Sequence, residues 1–271
     1  MIPRSYLYVP GDQPAKLAKA AGRGADALIV DLEDAVALRA KGAAREAAAA
    51  YLAGGRAWVR VNADALAEDV AAVADAPGLA GLVVPKAEPA LLAEVDRLLG
   101  RRPVPVVALL ETARGIRDVD AVASAPRVVR LGVGEADLAA ELGLRPDDRR
   151  TEMWPLRSAI VVASAAAGLP APIGPVETAV RDEARLRAGT ELLLRQGFRA
   201  RTVLTPAQLP VVNAVFSPSP EEVAAARRVV ALLAEAGSGV AVDEHGRFID
   251  AAVARSAREV LDRADACRPA G

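Results

Sequence analysis

The stretch ALIVDLEDAVA, residues 27–37, joins an apolar run to three carboxylates and sets a pattern that the rest of the chain repeats. Ala27 to Val30 predicts a short buried strand, and Asp31, Glu33 and Asp34 follow where that strand ends. Carboxylates so close together at the end of a buried strand repel one another and lose hydration. The stretch therefore predicts a strand whose carboxyl end has a function.

Outward from this stretch, short apolar runs alternate with longer alanine-rich amphipathic stretches, which is typical of βα units with a parallel sheet. Eight strands are predicted, the number that closes a barrel, and the seventh is short and interrupted by glycine and proline. The predicted strands are Tyr6 to Val9, Ala27 to Val30, Ala57 to Val61, Gly81 to Val84, Val106 to Leu110, Val128 to Val133, Ala171 to Ile173 and Arg201 to Leu204. The predicted helices between them are Pro14 to Ala21, Ala40 to Tyr51, Pro89 to Leu99, Ile116 to Ala123, Met153 to Ala167 and Thr178 to Gln196.

The predicted fold is therefore an α/β (β/α)8 TIM barrel with extra C-terminal helices. Two further helices, Pro220 to Ala236 and Ala251 to Ala266, are predicted after the eighth unit, joined by GSGVAVDEHGRFID. We expect residues 1–217 to form the catalytic barrel. Residues 218–271 are expected to form a helical extension that packs on a neighbouring subunit.

Composition limits the classes of function. The chain has 271 residues, 52% of them hydrophobic, and a formal net charge of −1, which favours one large domain and gives no reason to expect a nucleic-acid partner. No run of about 18 apolar residues predicts a membrane span, no signal peptide is evident, and the cytoplasm is the expected location. The single cysteine, Cys267, excludes an intramolecular disulfide and a cysteine-ligated zinc cluster, and is predicted to be an incidental surface thiol.

Carboxylates recur after other predicted strands. Glu111 follows the fifth strand and Asp137 follows the sixth, so these two residues and the three acids after the second strand would meet at the carboxyl-terminal mouth of a barrel. A hard divalent cation makes such a cluster tolerable, and Mg²⁺ uses one or two protein carboxylates and keeps positions for water and substrate oxygens. The alternative is that some of these acids cap helices or pair with arginines.

Basic and amide side chains are expected at the same level. Arg4, Arg60, Asn62, Lys86 and Arg114 all lie beside predicted strands, and cations beside a metal-bound carboxylate site suit an anionic small-molecule substrate. A purely structural role remains open for Arg4. It is less favoured for Arg60, which an apolar strand would otherwise carry at some cost.

The chain resembles the citrate lyase β-subunit-like branch of the HpcH/HpaI aldolase family. The resemblance covers nearly the whole chain and rests on motifs that occur in the family's order. These motifs are RSYLYVPGDQPAKLAKA, GADALIVDLEDAVALRAKGAAR, VRVN, VVPKAE, ALLETARGI, GVGEADLAAELG, TPAQLPVVNAVFSPSPEEVAAARRV and GRFIDAAVARSA. DLEDAV with a downstream ET and ADL is specific in combination, whereas each string alone is weak.

The resemblance implies a Mg²⁺-dependent lyase that cleaves or forms a carbon–carbon bond in a β-hydroxy acyl-CoA such as citryl-CoA or malyl-CoA. Glu111 and Asp137 match the direct metal ligands, and Glu33 and Asp34 match acids that hold the metal's waters. Arg60 matches the arginine that binds the carboxylate of the oxo-acid. The expected ligands are thus an oxo-acid and an acyl-CoA.

The resemblance also implies a shared active site. Asp250, in GRFIDAAVARSA, matches an aspartate that serves as catalytic acid/base in the active site of a neighbouring subunit of a homotrimer. The apolar surfaces of the two C-terminal helices would be buried in such an oligomer. The alternative is that Asp250 only caps the final helix.

Other mechanisms and functions are also consistent with the sequence. Lys86 would form a Schiff base if it were desolvated, although nearby carboxylates favour its protonated form. A catalytically silent homologue that binds a metabolite is a further alternative. His245, the only histidine, lies in DEHGRF, so a histidine base is disfavoured and an exposed turn is expected. Relatives commonly carry IHP and an Ile-Asp pair where this chain has Thr205 and Gly174, which bears on the thioester pocket.

Overall fold

The computed structural model describes residues 2–237 and 239–266 and contains a closed barrel of eight parallel strands. The strands follow one another around the barrel in chain order, and β1 closes it against β8. Their bounds are β1 Ser5–Pro10, β2 Ala27–Asp31, β3 Ala57–Arg60, β4 Leu79–Val84, β5 Val106–Leu110, β6 Val128–Val133, β7 Ile173–Gly174 and β8 Ala200–Val203. The predicted (β/α)8 fold is confirmed.

Apolar side chains fill the barrel interior and the layer between strands and helices. Tyr6, Ile29, Val83 and Val107 belong to an inner cluster of residues at most 6% exposed. Their neighbours along the strands, such as Leu28, Val30 and Leu82, are equally buried on the outer face. Burial on both faces explains why these strands are continuous apolar runs rather than alternating patterns.

Helices follow the strands around the barrel. Those within residues 3–213 are α1 Pro14–Ala20, α2 Lys41–Leu52, α3 Leu66–Val73, α4 Pro89–Leu99, α5 Ala113–Arg117, α6 Val119–Ala123, α7 Glu135–Leu142, α8 Trp154–Ala166 and α9 Glu183–Arg195, and α10, Leu209–Phe216, comes next. The α4 prediction is exact, and α1, α2 and α8 begin and end within one residue of their predicted bounds.

Two helix predictions fail for local reasons. The single helix predicted over Ile116 to Ala123 is two short helices, because Asp118 adopts a non-helical conformation (φ −101°, ψ 23°). The helix predicted from Thr178 begins only at Glu183, because the Asp182 side chain caps it by accepting the backbone N–H of Arg185. The three helices without a prediction, α3, α7 and α10, have eight residues each, which is short for a periodic signal.

The seventh strand has only two residues. Pro172 and Pro175 flank Ile173–Gly174 and have no N–H to donate to a sheet. Gly174 also packs so closely that an added Cβ would lie 2.7 Å from Leu193 Cδ1. The sheet is therefore continuous between β6 and β8 through a strand of only two residues.

The described residues divide into two compact units, residues 3–213 and a unit that contains Ile2 and residues 214–237 and 239–266. The predicted boundary, after residue 217, lies four residues later. In the second unit α11, Pro220–Ala236, packs on α12, Ala251–Ala266, and β9, Ala241–Val242, pairs with β10, Phe248–Ile249, in an antiparallel hairpin. Cys267 lies outside the described residues. No helix among the described residues is long and apolar enough to cross a bilayer.

Candidate active site

A cavity of about 450 Å³ opens at the carboxyl-terminal mouth of the barrel. We call it the mouth cavity; its polar lining includes Tyr8, Asp31, Asp34, Arg60, Glu111, Asp137 and Arg150. Tyr8 lies within β1, and each of the next five follows or ends a strand, so barrel closure brings together residues that are far apart in sequence. The predicted acids and Arg60 therefore line one cavity, except Glu33, which lines an adjoining cavity.

Glu111 is buried at the base of the mouth cavity and held in one orientation. It is 3% exposed, and its Oε1 accepts the backbone N–H of Lys86 at 2.9 Å. Lys86 presents this N–H from a left-handed conformation with φ of 50°. Gly134 faces the other oxygen, and a Cβ there would lie 2.3 Å from Glu111 Oε2. The carboxylate thus needs both an unusual backbone donor and a glycine opposite it.

The electrostatic surroundings of Glu111 oppose its negative charge. Burial, followed by the charge of Glu33, raises the pKa of Glu111 to about 8. The hydrogen bond from the Lys86 N–H opposes this rise, and the charges of Asp137 and Arg60 have smaller, opposite effects. Asp137, which shares the cavity, is exposed at the start of α7. A cation between the two carboxylates would remove this penalty.

Arg60 is the best-held cation of the site. Asp31, 1% exposed, accepts two hydrogen bonds from it, from Nε and Nη2, each 2.7 Å long. Its guanidinium carbon lies 4.8 Å from the centre of the Tyr8 ring. Burial alone would lower the pKa of Arg60, but the hydrogen bonds to Asp31 raise it, so the guanidinium stays charged.

Glu33, Asp34 and Lys86 surround the remaining edge of Arg60. Arg60 Nη1 lies 2.9 Å from Glu33 Oε2, in an orientation that makes no hydrogen bond, and 3.4 Å from Asp34 Oδ2. Glu33 Oε1 accepts a hydrogen bond from Lys86 Nζ at 3.0 Å. Burial raises the pKa of Glu33, whereas the hydrogen bond to Glu33 raises the pKa of Lys86. Lys86 is thereby kept protonated.

The donor set fits a magnesium ion. Among residues 2–237 and 239–266, no three His, Cys, Asp or Glu side chains are grouped as a complete metal cage. Two carboxylates on one cavity, Glu111 and Asp137, supply the one or two protein ligands that Mg²⁺ uses, with water and substrate oxygens as the others. The charge penalty on Glu111 and the open cavity beside it agree with such an ion.

Of the five predicted binding residues, Arg60 lines the mouth cavity, whereas Arg4, Asn62, Lys86 and Arg114 do not. Asn62 is 4% exposed, and its side-chain amide donates to the backbone oxygen of Leu32 and to Asp69. Asn62 therefore ties the loop after β2 to α3. Arg114 is 67% exposed and lies 3.4 Å from Glu88, the residue before α4. Asn62 and Lys86 line an adjoining cavity of about 670 Å³, which shares Asp34 with the mouth cavity.

Arg4 does not lie at the mouth, where the sequence analysis placed it. It precedes β1 and pairs with Asp26, which precedes β2, so both are at the amino-terminal end of the barrel. Asp26 Oδ2 accepts from both the backbone N and Nε of Arg4, at 2.9 and 2.7 Å. A residue that precedes a barrel strand lies at the amino-terminal end of the barrel, opposite the mouth. The contact of Arg4 with Asp26 is therefore structural.

Arg4→Gln is expected to lower the free energy of unfolding by about 1 kcal/mol at neutral pH. Burial alone would raise the pKa of Asp26, but its hydrogen bonds from Arg4 lower it. The contribution is therefore complete above the unfolded pKa of about 4 and is lost as pH falls through the lower folded value. Urea unfolding at pH 7 and pH 3 measures the free energy of unfolding of both proteins, and the difference between wild type and Arg4→Gln is expected to be smaller at pH 3. Arg23→Gln, at an exposed residue nearby, is the control; an equal difference at both pH values would refute the pair's role.

Asp250 and His245 belong to the second unit. Asp250 Oδ1 accepts the backbone N–H groups of Ala252 and Val253, both at 2.9 Å, so it caps α12. Its other oxygen makes no hydrogen bond within the described residues. His245 is exposed in the turn of the β9–β10 hairpin, as its sequence context indicates.

The positions that depart from the family pattern have local roles. The backbone oxygen of Gly174 accepts the hydroxyl of Thr202 at 3.1 Å, and Thr202 lines the mouth cavity. Thr205 precedes a 3-10 turn, Pro206–Gln208, and its N–H donates to the Gln208 side chain. At both positions the backbone contributes a hydrogen bond.

Sequence reasoning missed several site residues. Tyr8 lies in the middle of an apolar strand, and Gly134 has no side chain that would indicate a role. Asp31 was predicted as one of three acids after the second strand, not as the partner of Arg60. Glu135, 2% exposed, also borders the mouth cavity and binds Arg157 and Arg150. An acid in the first helical turn, as Glu135 is, signals a cap rather than a buried pair.

Comparison with known proteins gives a consistent result. A sequence model of the HpcH/HpaI aldolase/citrate lyase family matches residues 4–206. The chain is 38% identical over 282 residues to a (3S)-malyl-CoA thioesterase of Cereibacter sphaeroides, with 97% of this chain and 95% of that protein covered. It is 35% identical over 270 residues to a citrate lyase subunit beta-like protein of Mycobacterium tuberculosis, with 96% and 94% covered.

Solved structures agree with the sequence relatives. CitE from Mycobacterium tuberculosis, in complex with magnesium, acetoacetate and coenzyme A, superposes with a TM-score of 0.81 at 33% identity, covering 97% of this chain and 98% of that one. RipC from Yersinia pestis superposes with a TM-score of 0.69 at 30% identity, covering 81% and 97%. The similarity to CitE therefore extends over the barrel and the C-terminal residues alike.

Proposed function

Because the chain belongs to the HpcH/HpaI aldolase/citrate lyase family, we propose that it is a magnesium-dependent carbon–carbon lyase acting on a β-hydroxy acyl-CoA. The substrate would be of the citryl-CoA or malyl-CoA type, split into an oxo-acid and an acyl-CoA, or formed from them. The supporting observation is that Glu111, Asp137 and a firmly held Arg60 line one cavity.

The proposed roles of the site residues follow from their charges. Glu111 and Asp137 would hold the magnesium ion, with Glu33 and Asp34 near its waters. The ion, when bound, supplies a Lewis acid for the substrate's hydroxyl and carboxylate oxygens. Arg60 would bind the substrate carboxylate at its outer edge, where Asp34 is its most distant and most exposed partner, at 3.4 Å and 64% exposed. Asp31 keeps Arg60 oriented while this happens.

Bond cleavage requires proton transfers at both ends of the reaction. The β-hydroxyl proton leaves as the carbon–carbon bond breaks, the electron pair of that bond passes to the thioester as an enolate, and the enolate carbon then takes up a proton. Tyr8 lines the cavity, and burial raises the pKa of its phenol, so it stays a neutral hydrogen-bond donor beside Arg60. The acid/base is proposed to be Asp250.

Lys86 is a poor candidate for a Schiff base. A nucleophilic amine must lose its proton, whereas the hydrogen bond from Lys86 to Glu33 stabilises the protonated form. Borohydride trapping in the presence of substrate, and activity that survives EDTA, would support that alternative. We expect neither.

Thioester hydrolysis is the second candidate, because a relative 38% identical over nearly the whole chain is a (3S)-malyl-CoA thioesterase. The two reactions share a β-hydroxy acyl-CoA and differ in the bond that breaks. Lysis breaks a carbon–carbon bond and leaves the thioester intact. Hydrolysis breaks the carbon–sulfur bond and releases a thiol.

The products decide between these activities. The protein is incubated with malyl-CoA or citryl-CoA, with magnesium or with EDTA, and the oxo-acid is measured as its phenylhydrazone while free thiol is measured with a disulfide reagent. Lysis is expected to give magnesium-dependent oxo-acid without an equal amount of thiol. Thiol without oxo-acid would assign hydrolysis, and neither product would favour a catalytically silent binding protein.

Asp250 is proposed to serve the active site of a neighbouring subunit in a homotrimer. The hairpin before it carries exposed apolar side chains, Val242 at 60% and Phe248 at 61%, which an oligomer would bury. Mixing Asp250→Asn chains with Glu111→Gln chains is then expected to restore part of the activity that each lacks, since a mixed oligomer contains sites with both groups intact. Normal activity of Asp250→Asn alone, or an active monomer by light scattering, would refute the shared site and leave Asp250 as a helix cap.

A further inference from the structure

A third cavity, of about 730 Å³, lies between α8, α9 and the outer face of β8. Six arginines line it, together with three carboxylates. We call it the arginine cavity; its arginines are Arg149, Arg150, Arg157, Arg185, Arg195 and Arg201. Nothing in the proposed lyase chemistry uses this space.

Two of these arginines form a fixed floor. Arg157, 3% exposed, donates to both oxygens of Glu135 at 2.5 and 3.0 Å. Arg201, 2% exposed, donates to the backbone oxygen of Pro175 and to Thr190, and its nearest carboxylate oxygen, on Glu177, is 3.7 Å away. Their charges are buried beside the cavity and cannot move away from it.

Positive charge at the cavity exceeds what the chain neutralises. Arg149 and Arg195 make no side-chain hydrogen bond or ion pair within the described residues. Arg185 is 3.0 Å from the exposed Asp148, and its buried Nε, 3.5 Å from Glu177, has no hydrogen-bond partner. A buried N–H without a partner costs free energy unless a ligand or water completes it.

Arg150 connects the arginine cavity to the mouth cavity, because it lines both. It adopts a left-handed backbone conformation, φ 52°, which is uncommon for a residue with a Cβ. Its Nη1 is 3.1 Å from Glu135, two residues before Asp137. The Arg150 side chain could therefore contact a ligand in either cavity.

We propose that the arginine cavity binds a diphosphate or polyphosphate group. A guanidinium binds phosphate oxygens through two parallel N–H donors, and several guanidiniums around one space suit a ligand with several adjacent negative charges better than a single carboxylate. The group belongs either to the nucleotide part of a CoA thioester whose acyl end is in the mouth cavity, or to a separate phosphorylated metabolite.

Binding is measured directly, with no turnover assay, so its result is independent of the proposed lyase activity. Inorganic pyrophosphate is titrated into the full chain by calorimetry in EDTA. Trp154 lines the same cavity, so its fluorescence is expected to change on binding, and Trp154→Phe is expected to abolish that change. Trp58, the other tryptophan, lies in β3.

The variant Arg149→Gln/Arg195→Gln removes the two arginines without partners and leaves the structural pairs intact. It is expected to weaken pyrophosphate binding by about tenfold per arginine. Arg187→Gln/Arg227→Gln removes the same charge from exposed positions outside the cavity and is expected to bind normally. Equal affinity of the two double variants, or no binding of pyrophosphate at millimolar concentration, would overturn the proposal.

Competition identifies the source of the phosphates. Displacement of pyrophosphate by coenzyme A, but not by pantetheine, would assign the site to the substrate's own nucleotide. Pyrophosphate binding that coenzyme A leaves unchanged would assign it to a separate phosphorylated metabolite. Both results support a phosphate site and differ only in its natural occupant.

Discussion

Replacing Glu111 with glutamine is expected to lower magnesium-dependent turnover by about a thousandfold or more while the chain stays folded. Glutamine keeps the shape and the acceptor oxygen for the Lys86 N–H but cannot carry the charge that a divalent ion needs. Because burial raises the pKa of Glu111 to about 8, ionisation of this carboxyl destabilises the metal-free fold as pH rises from about 4.5 towards that value. The variant without metal is therefore expected to unfold at the same or a higher temperature at pH 7.

Calorimetry with Mg²⁺ and thermal unfolding separate the two parts of this prediction. Glu141→Gln, at an exposed residue of α7, is the matched control and is expected to change neither quantity. Unaltered magnesium affinity in the Glu111 variant would refute its assignment as a ligand. A large drop in unfolding temperature would instead identify Glu111 as a structural residue.

Replacing Arg60 with methionine is expected to lower the free energy of unfolding by about 3–5 kcal/mol and to abolish turnover. The substitution leaves Asp31, 1% exposed, as a buried carboxylate without its two guanidinium hydrogen bonds. Glu33 loses a neighbouring positive charge as well. Urea unfolding at neutral pH measures the loss.

A second substitution tests the cause of that loss. Asp31→Asn in the Arg60→Met background removes the unpaired buried charge and is expected to recover part of the stability but none of the activity. Arg56→Met, at an exposed arginine close in sequence, is expected to change stability by less than about 0.5 kcal/mol. A loss below about 1 kcal/mol for Arg60→Met would show that Asp31 does not depend on this pair.

The barrel was predictable because its strands are buried on both faces. Val106–Leu110, for example, is apolar and buried throughout, and its predicted bounds match the observed ones. The bounds of Val128–Val133 were also predicted correctly, although that strand contains Arg130. Helix ends were less predictable, because they depend on single contacts such as the Asp182 cap. Asp118 separates two helices through a backbone conformation that periodicity does not reveal.

The mouth cavity was predictable to the extent that position after a strand determines position in a barrel. That rule groups Glu111, Asp137 and Arg60, and the same rule, applied consistently, places Arg4 at the other end. The orientation of the side chains in the cavity was not predictable. The Asp31–Arg60 pair, the stacking on Tyr8 and the tie from Asn62 to Asp69 depend on side-chain directions that exist only once the strands are in register.

Lys86 orients Glu111 through its backbone N–H, in a left-handed conformation, so the orientation of Glu111 does not depend on which side chain residue 86 carries. The backbone N–H, not the ammonium group, holds the carboxylate, so the side chain at this position is open to protein engineering. A library at residue 86 would vary the charge at the rim of the adjoining cavity while the carboxylate behind it stays in place. Asparagine and glycine suit the required φ, whereas valine, isoleucine and proline would distort the backbone. The charge beside Glu33 is therefore adjustable at one codon while the backbone donor to Glu111 stays in place.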